Sequence, residues 1–214
     1  MNTNLQSAFV LLARPYRETS LLVDFLTESK GRVSAVARGA RKSKSNWKAI
    51  LQPFIALQIN YSGQRELATL ISVEQIPQDY HLKGRSLLCG FYLNEILQRV
   101  LHRHDPCLEI FTAYQMTLQR LQMGHEEITL RQFEKTLLNA LGYGLQMTHD
   151  VENHSAIDRN KNYYFTPHHG CTEILDNSPV VLPYAVFSGE HLLAIANDQL
   201  DNRDVLNAAK RLMR

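Results

Sequence analysis

The chain has 214 residues, 44% of them hydrophobic and 21% charged, with a formal net charge of only +2. This is the composition of a globular chain long enough for one or two cored domains, and its near-neutral charge sets up no global field towards a polyanion. Three widely spaced cysteines, Cys89, Cys107 and Cys171, form no Cys-x-x-Cys pair, which argues against a disulfide framework or a structural zinc site.

The first eighty residues read as strands. An apolar stretch, Phe9 to Arg14, is followed by "TSLLVDFLT" from Thr19 to Thr27 and a turn at Ser29-Lys30-Gly31. Val33, Ala35 and Ala37 then alternate with Arg32, Ser34, Val36 and Arg38, and Ile55, Leu57, Ile59 and Tyr61 with Ala56, Gln58 and Asn60. Ser62-Gly63 turns the chain, and Leu67, Thr69, Ile71 and Val73 repeat the period of two. Five short strands joined by turns predict a small barrel, for which an OB-fold is the natural candidate and an SH3-like barrel the alternative.

Pro77 marks the change to helices. Leu87, Leu88, Phe91, Leu93, Ile96, Leu97, Val100 and Leu101 give a wide apolar side, as expected of the central helix of a bundle. Asp105-Pro106 opens a second helix with Leu108, Phe111, Tyr114, Leu118 and Leu121 on one face, ending near Gly124. A third begins at Thr129, where Gln132 completes a capping box, and stops at "GYG", Gly142 to Gly144. Residues 145–183 are polar and rich in Asn and His, with one or two short strands expected in "NYYFTPHHGCTEIL". Two short helices close the chain, from about Gly189 to Ala196 and from Asp204 to Met213, with Asp201 or Asn202 as caps for the second. The expected class is α+β: a barrel over 1–80 and a helical domain over 81–214 that includes the polar segment at 145–183. The early apolar run "FVLLA" is too short for a signal peptide or a membrane span, so a cytoplasmic address is expected.

Charge is unevenly spread. Residues 1–80 hold ten Lys/Arg and six Asp/Glu, residues 81–214 thirteen and fifteen, so the N-terminal part is the anion-facing half. Its centre is "VARGARKSKSNWKAILQPF", Val36 to Phe54, where Arg38, Arg41, Lys42, Lys44 and Lys48 stand without one acid. Such cations neutralise phosphates and release counterions. Trp47, the single tryptophan, is placed either to stack on an unpaired base or to pack in the barrel. Arg14, Arg17, Lys30 and Arg32 form a second, weaker group at strand ends, partly offset by Glu18 and Glu28. The bland reading of both groups is a solvated surface.

His149, Asp150, His154, Asp158, His168, His169 and Cys171 are all metal-ligating types. Their spacing matches no compact ligand pattern, and solvated loops are the favoured reading. A metal-dependent nuclease acting through residues 149–171 is one alternative function, and a pure adaptor whose basic loop binds an acidic protein is another. No nucleophile elbow, phosphate loop or dinucleotide fingerprint is present.

Taken together, "ETSLLVDFLTESKGRVSAVARGARKSKS…LQPF", "YLNEILQRVL", "LRQFEKTLLNALGYGL" and "AAKRLMR" resemble, in order and over essentially the whole chain, the RecO family of bacterial DNA repair and recombination mediators. The resemblance implies an N-terminal OB-fold, a helical domain and no enzymatic activity. It implies binding of single- and double-stranded DNA, annealing of complementary strands, and help in loading RecA onto DNA coated with single-stranded-DNA-binding protein, in association with the nucleoid. RecR and that coating protein are the implied partners. The DNA surface would comprise Arg14, Arg17, Arg32, Arg38, Arg41, Lys42, Lys44, Trp47 and Lys48. The acidic, Phe-terminated tail of the coating protein would meet Arg131, whose guanidinium suits a carboxylate, beside an apolar slot lined by Phe133 and Leu137. Zinc-bearing members place Cys-x-x-Cys where this chain reads "THDVENHS", so no metal or cofactor is expected. Members also continue in a short basic tail past the last helix, where this sequence has reached Arg214.

Overall fold

The computed structural model describes residues 5–63, 67–167, 169–175 and 185–213. Strands β1 (Gln6–Tyr16), β2 (Ser20–Thr27), β3 (Gly31–Ala37), β4 (Ile55–Ser62) and β5 (Ala68–Asp79) form a closed barrel in the order β1-β2-β3-β5-β4. Closure comes from β1 pairing with β4, Gln6 opposite Ile59, and from β3 running parallel to β5 at Ala35 and Val36. A one-turn helix, α1 (Trp47–Ile50), lies between β3 and β4. This is a five-stranded barrel of OB type. Closure gives every strand of the barrel two neighbours.

The period-two readings of β2, β3 and β4 hold in the core: Leu21, Val23 and Phe25, then Val33, Ala35 and Ala37, then Leu57 and Ile59 all point inward. The reading of β5 is corrected. Leu67 and Ile71 are exposed, and Ala68, Leu70 and Val73 fill the barrel. The cause is an irregularity: Asn60 pairs with Ser72 but Tyr61 with Leu70, so Ile71 is an extra residue and the phase slips by one. Pro77 does not end the strand either. It lies where the β4–β5 register shifts between Ile55/Asp79 and Leu57/Gln75, a kind of site that tolerates a residue without an N–H.

β1 carries a similar bulge. Val10 pairs with Phe25 and Leu12 with Asp24, leaving Leu11 unpaired. Its carbonyl instead accepts from Asn94 Nδ2 at 3.1 Å and Gln98 Nε2 at 3.3 Å, both on α2 (Gly84–Val100). Asn94 is 2% exposed and its Oδ1 accepts from the Tyr114 hydroxyl, at 2.6 Å, of α3 (Leu108–Gln122). Burial pushes the Tyr114 phenol well above its ordinary pKa, so it stays a neutral donor. Phe9 packs on Phe111 and Tyr114, with ring centroids 5.6 and 5.2 Å away. Polar rivets and an aromatic cluster thus fix α2 and α3 to the barrel.

The wide apolar side expected of α2 is narrower than its sequence suggests. Cys89, Gly90, Leu93, Asn94 and Leu97 are buried, whereas Leu88, Phe91 and Val100 are exposed. The turn before β3 abuts the loop after α2. A Cβ on Gly31, which has φ +63°, would lie 2.0 Å from the Asp105 carbonyl oxygen, so only glycine fits.

Contacts divide the chain into compact units at Glu126/Glu127, whereas strands give way to helices near residue 80; the two boundaries are different. The second unit contains nearly all of α4 (Glu126–Ala140), a three-stranded sheet in the order β7-β6-β8, and helices α5 (Gly189–Ala196) and α6 (Arg203–Leu212). α4 begins three residues before the expected cap, and Thr129 is buried inside it. The helix ends as expected: Gly142 has φ +82° and Tyr143 N–H bonds Leu138 O at 2.9 Å. The strands β6 (Asn162–Thr166) and β7 (Gly170–Glu173) are the expected pair. β8 (Val186–Ser188) was missed, because three residues are too few to show a period. Met147, Ile157, Tyr163, Cys171 and Phe187 join residues of α5 and α6 in one core, so the segment read as polar excursion contributes to a packed interior. Its residues 176–183 and His168 lie outside the described residues. Asn202 caps α6, accepting from Asp204 N–H at 2.7 Å. Among the described residues no helix is long and apolar enough to cross a membrane.

Candidate nucleic-acid interface

β1 and β3 flank β2 and finish at the same end of the barrel, and the loops that follow them build a basic surface there. The β3–α1 loop is anchored from beneath. Ala40 and Leu51 are fully buried in the barrel core, with Trp47 and Ile50 packed against it. Tight turns hold the span between these anchors: Lys42 N–H bonds Gly39 O and Ser45 N–H bonds Lys42 O, each at 3.0 Å. Buried anchors on short turns force the intervening charged side chains outward. Arg38, Arg41, Lys42, Lys44 and Lys48 are all exposed.

The β1–β2 turn lies beside this loop. Arg41 N–H bonds Thr19 O at 2.9 Å, and its guanidinium reaches Arg17 O at 3.3 Å. Arg17 takes a left-handed φ of 53° and sets its guanidinium 5.3 Å from the Tyr16 ring centroid. Arg14 is exposed on β1. Glu18 is the nearby acid in sequence, yet no ion pair among the described residues engages any of these cations. Seven cations held within two adjacent loops and a strand repel one another, and a polyanion relieves that repulsion.

Two expected members are placed differently. Arg32 is half-buried, and its guanidinium donates to Gln98 O and Leu101 O at the C-terminal end of α2. A cation there satisfies orphan carbonyls and the negative helix end, so Arg32 joins barrel to helix rather than facing solvent. Trp47 is half-buried against the barrel core. Of the two roles open to it in the sequence, packing is the one that the structure shows.

The expected tail site is also changed by packing. Arg131 sits 2.7 Å from the Glu134 carboxylate, both largely buried. Phe133 and Leu137 are 2% and 4% exposed, so they form no open slot.

The His/Asp segment is organised by a single carboxylate. Asp150, 1% exposed, accepts through Oδ1 from Glu152 N–H (2.8 Å) and Asn153 N–H (3.0 Å), and through Oδ2 from Glu173 N–H (2.6 Å). Burial would raise its pKa, but these amide donors, helped by His154, hold it below the ordinary carboxylate value. Cys171, fully buried, has its thiol pushed up to about 12 by burial and by Asp150. His149, His154, Asp158 and His169 are exposed. Among the described residues no three His, Cys, Asp or Glu side chains are grouped to hold a metal ion.

Comparison with known proteins agrees with this architecture. The family model for the N-terminal part of recombination protein O matches residues 1–78, and the model for its C-terminal part matches residues 81–214. The DNA repair protein RecO of Coxiella burnetii (strain RSA 331 / Henzerling II) is 44% identical over 210 residues, 98% of this chain and 89% of its own length. Those of Methylococcus capsulatus and Cellvibrio japonicus are each 40% identical, covering 98% and 100% of this chain and 85% and 90% of their own.

Proposed function

The chain belongs to the RecO family, which places its role in DNA repair and recombination, and from that premise we propose that it is a non-enzymatic mediator whose barrel holds DNA by its phosphates. One observation carries the proposal. The exposed cations of the β3–α1 loop, pinned against the β1–β2 turn, have buried anchors beneath them and no acid paired to them among the described residues. Arg14, Arg17, Arg38, Arg41, Lys42, Lys44 and Lys48 make up the surface. Phosphate contacts carry no base information, which suits a protein that takes single and double strands of any sequence. Holding strands by their backbones leaves bases free to pair, which is what annealing needs. Assistance to RecA on strands coated with single-stranded-DNA-binding protein, with RecR as a further partner and the nucleoid as the place of action, completes the reading.

For the coating protein's acidic tail we keep Arg131 as the carboxylate-facing group. Phe133 and Leu137 serve as support beneath it rather than as the slot. A tail carboxylate there competes with Glu134 for the same guanidinium.

The test is the salt dependence of oligonucleotide binding. With about four phosphate contacts, log affinity for single strands should fall with log salt at a slope near −3. Replacing Arg41, Lys42 and Lys44 together by Ala should make the slope shallower by about 2. An unchanged slope would sink the proposal. Incubating labelled DNA with divalent metal tests the nuclease alternative, which requires cleavage products.

A further inference from the structure

Alternate side chains of a strand share a face, so register fixes what lies beside what on the outside of the basic end of the barrel. Ala13 of β1, Leu21 and Val23 of β2, and Ala35 and Ala37 of β3 belong to the interior. Arg14 and Tyr16, Ser20 and Leu22, and Val36 therefore face outward. Arg14 lies opposite Leu22 and Leu22 opposite Val36; one step nearer the loops, Tyr16 lies opposite Ser20. Leu21 pairs with Ala37, so Arg38 follows across from Ser20. That sets Arg38 two strand spacings, about 10 Å, from Tyr16, with only the short Ser20 between them. The Tyr16 ring is half-buried, and arginines converge on it. Arg17 holds its guanidinium 5.3 Å from the ring centroid, and Arg41 reaches Arg17 O at 3.3 Å. No ion pair among the described residues engages Arg14, Arg17, Arg38 or Arg41. Farther along the same outer face Asp24 is buried and accepts from the Ser34 hydroxyl, which marks where the cationic part of the face ends.

We propose that Tyr16 is the base-stacking residue of this surface: an unpaired base lies on the Tyr16–Arg17 pair while Arg14, Arg38 and Arg41 hold the flanking phosphates, so that the barrel discriminates single strands from duplex. The proposal deepens the reading of this surface as a DNA site and rests on it. Aromatic rings and guanidinium planes are the two surfaces on which unpaired bases stack. Trp47, the aromatic residue that the sequence offers first for the task, packs against the barrel core instead, whereas Tyr16 stands on the outer face among the cations. Bases in a duplex are stacked on one another and present only their edges, so a ring can tell the two forms apart where phosphate contacts, common to both, cannot. Stacking is indifferent to sequence because every base has a π-face. One base taken per bound strand leaves its neighbours free to pair.

The experiment uses the full chain and three labelled probes read by anisotropy: an oligothymidylate, a strand of the same length built of abasic sugars, and a blunt DNA hairpin. The parent protein should bind the abasic strand about tenfold more weakly than the oligothymidylate; equal affinities refute the inference without any variant. Y16L, which keeps apolar bulk but has no π-face, should abolish that tenfold difference, with the salt slope and the hairpin affinity unchanged. Y16F should keep the difference, since stacking does not need the hydroxyl. If Y16L weakens the hairpin as much as the oligothymidylate, Tyr16 only supports Arg17 and the inference is overturned. If Y16L preserves the difference between the strands while R41A/K42A/K44A weakens both, stacking on Tyr16 is refuted and the DNA reading stands. If R41A/K42A/K44A leaves both strands bound as before, the two readings fall together.

Discussion

Two loops of this protein are rich in ionisable residues, and they handle charge in opposite ways. In the span from Arg38 to Lys48 the charges are exposed and have no ion-pair partner among the described residues, above a buried floor of Ala40 and Leu51. In the span from His149 to Asp158 one carboxylate is buried and receives three backbone amides, while its histidines face solvent. The first loop is held by apolar anchors, so its charges are free for a ligand. The second is held by a charge, so that charge is not. Composition alone makes both look like sites, and what distinguishes them is which group does the holding.

If that contrast is right, Asp150→Ala should have the largest effect. Three part-buried amides lose a charged, buried acceptor, and the second unit should lose about 4 kcal/mol with DNA affinity of the folded protein unchanged. The pH dependence follows from the same group. Its folded-state pKa is depressed, so its stabilisation is complete above the unfolded value of about 4 and is lost as pH falls through the lower folded value. A urea midpoint that declines as steeply in acid for Asp150→Asn as for the parent would contradict this.

Leu97, fully buried on α2, provides a reference in the first unit: Leu97→Ala should cost about 3 kcal/mol. Trp47→Ala comes next. As a floor residue its loss should cost about 2 kcal/mol of stability, read as a lower urea midpoint, and leave the salt slope as it is; a slope change without loss of stability would return the ring to the DNA. Arg131→Ala leaves the buried Glu134 carboxylate without its guanidinium, at a cost of about 2 kcal/mol, and titration should show a weakened tail peptide but an unaltered naked oligonucleotide. The smallest effect on stability, within about 0.5 kcal/mol, belongs to R41A/K42A/K44A, the same variant that should change the salt slope most.

The barrel was legible in the sequence because the residues that fill its core recur at every second position in β2, β3 and β4, even where their neighbours are also buried. β5 was misphased because Ile71 is an extra residue, and a bulge is invisible to a period-two count. The cationic loop was legible because its signal is local. Arg32 was not, since its partners Gln98 and Leu101 lie on an element far along the chain. Asn94 reads as an ordinary polar residue in a helical stripe; only the pairing of Leu11 in space shows why it is buried. Leu88 and Phe91 misled because apolar spacing reports a face but not whether anything covers it.

The extra residue at Leu11 also fixes the parity of β1. Ala8 and Val10 point into the barrel, and after the bulge the inward member is Ala13. Counting by twos from Ala8 without it would put Leu12 and then Arg14 inside. That Leu11 is bulged out of the pairing rather than held in it therefore decides whether a guanidinium lies in the apolar interior or in water. Deleting Leu11 would make β1 a regular strand, with Ala13 still inward and Arg14 still in water, so the surplus residue can be lost without a change of facing but not without loss of the carbonyl that Asn94 and Gln98 donate to.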